Sequence, residues 1–182
     1  MKKIVLTVLG FVMAPLMAIA QPDFSGSWEP DTDRSEPAPS ELYRYGHRGS
    51  PQPVPQTDLR VEQDGNSVSV YEGAIDSAFY YNNRTRITSR YAVPAVYIAD
   101  GQERTVTVGN TGLTEQEMTT SWEDNKLVIE IEKPWGGMPG NVKVNTREEW
   151  MLSPDGDILY ITIQHNWPAE NVAYTLVYNR QE

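Results

Sequence analysis

Two histidines, His47 and His165, are the side chains here whose ordinary titration falls near neutral pH. His165 continues the alternation of Leu159, Ile161 and Ile163, so it shares their face. A neighbouring run alternates Val142, Val144, Trp150 and Leu152, interrupted on the same parity by Thr146 and Glu148. If the two runs pair as strands in register, His165 comes near Glu148 or Glu149. An imidazole beside a carboxylate suits proton transfer, with the imidazole as base and the carboxylate as its orienter. Tyr174 adds a phenol to that face. His165, Glu148 and Tyr174 are therefore the catalytic candidates if the protein is an enzyme. A rim histidine held by an ordinary hydrogen bond is the plainer alternative. The chain has no cysteine nucleophile and no Gly-x-Ser-x-Gly turn.

No metal site and no cofactor is expected. A zinc site needs three or four converging donors, and neither histidine has a ligand cluster beside it. Asp31 and Asp33 fit a surface turn. Asp155-Gly156-Asp157 has a fragment of a calcium loop without the remaining spacing, and reads as a turn.

Binding chemistry has more candidates. Tyr174 and Tyr178 share a face with Leu176 and can turn hydroxyls toward a ligand. Trp135, Met138 and Trp167 stand in turn-like segments, and His47 lies between arginines in a Pro-rich one. If those segments meet at one end of the fold, they make an amphipathic rim. Trp28, Trp122 and Trp150 are expected in the core.

The elements that must position these groups are β-strands. Residues 141–180 hold three alternating runs, separated by Ser153-Pro154-Asp155-Gly156-Asp157 and by the segment 166–171. Period 2 at this density is the mark of strands with one face on a core. Upstream, Leu59 and Val61 lead into Asp64-Gly65-Asn66, and Val68 and Val70 lead out, which is a hairpin signal. Further strand pieces are expected over 86–91, 95–99 and 103–108, with turns at Asp100-Gly101 and 109–112. A hairpin of 115–122 with 126–133 follows, with Leu127, Ile129 and Ile131 inward and Val128 outward. On 141–152 the same parity puts Glu148 inward and Arg147 and Glu149 outward, provided no bulge intervenes. Residues 73–84 read as a loop or a short irregular strand, and the Gly/Pro-rich 134–140 as a mobile loop. The expected fold is all-β: an antiparallel meander of about 8–10 strands closed into a barrel, because closure removes sheet edges.

The chain has 182 residues and a net charge of −10. Residues 1–20 read as a secretory signal peptide: Lys2 and Lys3, an apolar run, then Ala18-Ile19-Ala20. Its removal leaves 162 residues, the size of one domain, and takes the charge from −10 to −12. Residues 21–56 form an N-terminal strand and a Pro-rich loop, and 57–182 the main part of the barrel. An acidic chain is a poor partner for nucleic acid or an anionic membrane. No later segment is apolar enough for a helical span. The expected location is the bacterial periplasm or outside the cell.

The chain resembles a broad group of small, exported, lipocalin-like bacterial barrel proteins. The residues that carry the likeness are Phe24-Ser25-Gly26-Ser27-Trp28 with Asp31 and Ser35, the Leu59 to Val70 hairpin, and Trp122 leading to Lys126-Leu127-Val128-Ile129. Glu149-Trp150-Met151-Leu152-Ser153-Pro154-Asp155-Gly156 and the closing Val177-Tyr178-Asn179-Arg180 complete it. The resemblance implies that Trp28 closes one barrel end near the late Arg180. It also implies a small-molecule binding function. The chain departs from the pattern in its long segment before the first hairpin. The expected function is binding of a small apolar or amphipathic molecule. Two alternatives stand beside it: an interaction module that binds protein or glycan through loop aromatics, and a cofactor-free barrel enzyme.

Overall fold

The computed structural model describes residues 21–37, 57–72, 94–108, 114–134, 143–166 and 171–182. The segments 1–20, 38–56, 73–93, 109–113, 135–142 and 167–170 lie outside the described residues. Expectations that fall there include the signal peptide, His47, the strand piece 86–91, Trp135, Met138 and Trp167.

Ten strands are described: β1 (Gly26–Pro30), β2 (Leu59–Asp64), β3 (Ser67–Glu72), β4 (Ala95–Ile98) and β5 (Glu103–Val108), then β6 (Thr114–Glu123), β7 (Lys126–Pro134), β8 (Lys143–Leu152), β9 (Ile158–Asn166) and β10 (Asn171–Arg180). They form one antiparallel sheet in the order β4-β3-β2-β1-β10-β9-β8-β7-β6-β5. Local chemistry sets the turns. Gly65 takes φ +56° between Asp64 and Ser67. Asp124 takes φ 55° between Glu123 and Lys126. After β8, Gly156 N–H donates to the Ser153 carbonyl at 2.9 Å, and Ile158 N–H donates to Ser153 Oγ at 3.0 Å. The Asp155 carboxylate accepts from Ser153 Oγ and from Asp157 N–H, so it serves the turn.

The sheet curls. From β4 to β8 is six steps in strand order, about 29 Å if flat at ~4.8 Å per step. Yet the Tyr97 and Trp150 rings on those strands lie 6.4 Å apart. Phe24 stacks on Trp122 at 5.9 Å and meets Trp150 edge-on at 6.3 Å. The core is the inner face, with Leu59, Val61, Val68, Leu127, Ile129, Leu159 and Ile161 among its buried side chains. Val128, on the outer parity as expected, is nevertheless buried.

Among the described residues, ladders do not run all the way round. The chain bends at Asp100-Gly101 as expected, but β4 and β5 stand at opposite ends of the sheet order and share no ladder there. Their junction is clamped instead. Gly101 N–H donates to the Thr120 carbonyl at 2.9 Å. Arg104 grips both Asp100 oxygens, at 2.8 and 2.7 Å, and also reaches the Gln102 carbonyl. These bonds hold the Asp100 carboxyl down at about 2, the Arg104 contact first and the Gln102 N–H second. In Arg104→Ala, a carboxyl titration followed by NMR should find Asp100 raised toward the ordinary value of about 3.9, with the Gln102 N–H still holding it below. The clamp's contribution is present above that ordinary value and is lost as pH falls through about 2. An unchanged Asp100 titration in the variant would refute the clamp.

The first and last described strands meet. Trp28 stands opposite Arg180, and the Arg180 guanidinium lies over the indole at 4.3 Å. This is the arrangement the resemblance implied. Trp28 Nε1–H donates to the Phe24 carbonyl at 3.0 Å, and Arg180 donates to the carbonyls of Ser25 (2.6 Å) and Gly156 (2.9 Å). Gly26 makes room: a Cβ there would sit 2.8 Å from Arg180 Nη1, and its φ is +143°. Gly26→Ala should cost about 1–3 kcal/mol of stability by urea unfolding. A loss within error would show that Arg180 moves aside freely.

Past Pro30 the chain covers the β10 edge that β1 leaves open. Asp31 N–H donates to the Val177 carbonyl and Glu36 N–H to the Thr175 carbonyl, each at 2.8 Å. Ser35 Oγ accepts from Val177 N–H at 2.9 Å. Asp31 itself bonds Arg34 and Asn179, which lowers its pKa, so it belongs to the turn as expected.

Candidate functional site

The registers stack the inner-face residues of β6 to β10 into rows. One row runs Thr120, Ile129, Glu148, Ile163, Tyr174. Toward the Phe24 end lies Trp122, Leu127, Trp150, Ile161, Leu176. Toward the other end lies Met118, Ile131, Thr146, His165, Val172. The ladders on both sides of β8 are unbroken from Asn145 to Trp150, so no bulge reverses its parity. Glu148 therefore faces inward.

A carboxyl on such a wall is unusual, because desolvating its charge is costly. Glu148 keeps partial solvent contact as a residue, yet burial of its carboxyl raises the pKa. Trp150 Nε1–H, donating at 3.3 Å, works against that rise, and the negative charge of Glu72 adds to it. Opposite, on β4, burial raises the pKa of Tyr97, with Glu148 and Glu72 adding to the effect. Tyr178 is pushed up to about 12, by burial first and then by Glu72, Glu148 and Tyr174. Both phenols thus keep their protons at neutral pH. One face gathers an acid that holds its proton unusually well, neutral phenols and indoles.

Two polar atoms on this wall are buried without a hydrogen-bond partner among the described residues: Thr120 Oγ1 and Trp122 Nε1. Thr120 shares the Glu148 row and Trp122 the Trp150 row. A buried donor left unpaired costs about 1–3 kcal/mol, so such atoms mark a place where something else can bind.

The structure brings together part of the expected site. Tyr174 and Tyr178 are buried on the inner face, and Tyr174 shares the Glu148 row. His165 lies one row away, opposite Thr146, whose Oγ1 is 2.8 Å from its Nδ1. Its ring is 6.1 Å from that of Tyr174. His165 thus meets Thr146, and the register sets Glu148 opposite Ile163. Glu149 faces outward and pairs with Lys126 at 2.7 Å and Arg147 at 3.0 Å. Trp135, Met138, Trp167 and His47, and with them the loop patch of the interaction-module alternative, lie outside the described residues.

Sequence reasoning missed Tyr97, Glu72, Thr120 and the indole N–H of Trp122. Two had a signal. Extending the Val68, Val70 parity reaches Glu72, and Met118 to Trp122 carries Thr120 inward between them. Tyr97 had none, because its meeting with Trp150 depends on the curl.

A depression of about 310 Å³ runs across β5 to β9 and includes Glu103, Glu117, Glu130, Glu132 and Arg147. Most of its charges are engaged. Lys143 pairs with Glu117 and Glu132, and Arg147 with Glu123 and Glu130. Among the described residues, no group of three or more acidic or histidine side chains is placed to hold a metal ion. No helix among them is long and apolar enough to cross a membrane.

No protein-family model matches the chain, and no curated protein matches it. Among solved structures it is similar to zebrafish ileal bile acid-binding protein complexed with cholic acid. The TM-score is 0.48 and the identity 16%, covering 87% of this chain and 98% of that one.

Proposed function

We propose that this is an exported binding protein that takes a small amphipathic molecule against the inner face of its curled sheet. The observation that carries this is the pair of buried polar atoms without a partner among the described residues, Thr120 Oγ1 and Trp122 Nε1, on a wall made mostly of apolar and aromatic side chains. A ligand with an apolar body and a polar group fits such a wall: the body replaces water on the aliphatic and aromatic surface, and the polar group satisfies the orphaned atoms. Export to the periplasm or beyond is supported by the leader-like residues 1–20.

The test is a titration of the purified protein with an apolar fluorescent dye, alongside native mass spectrometry of protein recovered gently from its own compartment. One saturable site is expected, with tryptophan emission changing in step because Trp122 and Trp150 line the wall. Trp122→Phe, which deletes the N–H and keeps an aromatic ring, should weaken retention of the natural ligand. No saturable site, together with a crystal structure whose interior is filled by side chains, would sink the proposal.

A further inference from the structure

We infer that the polar head of the ligand is a cation, so that the wall selects an amphipathic amine over a carboxylate with the same tail; this rests on the binding function proposed above. Charge on the inner face is the first ground. The acids are Glu148 on β8 and Glu72, which continues the inward parity of Val68 and Val70 on β3. Among the described residues neither makes an ion pair. Among the residues whose side chains are described, the cations on that face are already engaged. Arg104, opposite Met118, is held by Asp100. Arg180 lies over Trp28 and donates to backbone carbonyls. His165 is engaged with Thr146 one row away.

The second ground is the ring set. Tyr97 lies 6.4 Å from Trp150, whose N–H reaches Glu148. Tyr178 and Tyr174 stand on the same inner face, close enough to couple electrostatically. Aromatic faces carry negative potential and attract ammonium groups, most strongly where water is excluded. An ammonium head offers three N–H donors, and its charge beside Glu148 favours release of the proton that burial holds there, leaving carboxylate oxygens for a charge-assisted bond. A carboxylate head would face the inward carboxyl of Glu148, with the exposed Glu72 at the rim, and among the residues whose side chains are described no unengaged cation on that face answers it.

Three probes with one tail separate the possibilities: dodecylamine, dodecanol and dodecanoate, each titrated below its micelle concentration at pH 7.5 by calorimetry and dye displacement. The amine is expected to bind one-to-one, about tenfold tighter than the alcohol, and the carboxylate weaker than both. The net charge of −10 can attract an amine nonspecifically, so Glu148→Gln is the deciding variant. It should bring the amine down to the affinity that the same variant shows for the alcohol, and a circular-dichroism spectrum matching the parent's reports that the variant is folded. Carboxylate binding as tight as the amine's, or an amine affinity untouched in Glu148→Gln, overturns the cation inference and leaves the binding function standing. Failure of all three probes overturns both.

Discussion

Replacing Trp28 with alanine should remove about 3–5 kcal/mol of unfolding free energy, the largest single-site loss expected in this protein. Trp28 is fully buried. It stands opposite Leu59 on β2 and Arg180 on β10, so one side chain serves both strands flanking β1. Truncation leaves a cavity the five-residue β1 has little means to fill. It also strips the guanidinium of the ring beneath it and frees the Phe24 carbonyl that the indole N–H satisfies. Domains of this size are commonly stable by only about 5–15 kcal/mol, so the loss would be a large share of the whole. Trp28→Phe should fall between, since it keeps most of the buried area and loses the N–H bond. Urea unfolding followed by circular dichroism gives the numbers. A loss below about 1 kcal/mol for the alanine variant would mean that the Trp28–Arg180 stack is not an anchor.

The second large effect is a pH dependence isolated by Glu148→Gln. Burial and the nearby Glu72 charge raise the Glu148 pKa above its ordinary 4.5. The native state then holds a proton that the unfolded chain has already released. Stability contributed at this site is full below the ordinary value and falls as pH rises through the raised one. The glutamine variant lacks that fall. Its advantage over the parent should be near zero at pH 4 and grow to about 1–3 kcal/mol in alkaline solution. Asp23, Asp31, Asp100, Glu149 and Asp155, whose pKa values are lowered, produce the opposite slope at acid pH. They are present in both proteins and cancel in the difference, while Tyr97 and Tyr178, which Glu148 helps to hold neutral, keep their protons from pH 4 to 9. Parallel stability curves for the two proteins from pH 4 to 9 would show that Glu148 titrates as an ordinary surface acid.

The parts of this molecule that sequence disclosed are those governed by near neighbours. Asp64-Gly65 and Ser153-Pro154-Asp155-Gly156 announce turns because proline, glycine and aspartate act on their own backbone. Glu148 could be placed inward because Val144 and Trp150 bracket it at even spacing and no bulge intervenes. What periodicity cannot report is which faces meet across the curl. Tyr97 and Trp150 come together over six strand positions, and neither run hints at the other. The pairing of β1 with β10 was visible only through a family resemblance, since five residues ending in Pro30 carry little pattern. Asp100-Gly101 reads as a turn and the chain does bend there, but that its flanking strands β4 and β5 stand at opposite ends of the sheet order is not a local property.

The place of β1 between β2 and β10 has a consequence for how the chain finds this shape. All other ladders join strands that follow one another in sequence, so hairpins can form early and locally. The pairing of Trp28 with Arg180 instead closes a loop of about 150 residues, whose entropy must be lost before the contact returns anything. The two blocks, β2–β4 and β5–β10, should therefore acquire hydrogen-exchange protection first, and the β1 amides last. In pulse-labelled refolding, Trp28→Ala should leave the early protection of β6–β9 unchanged while abolishing the late step, so that the residue which holds the finished sheet together plays no part in starting it.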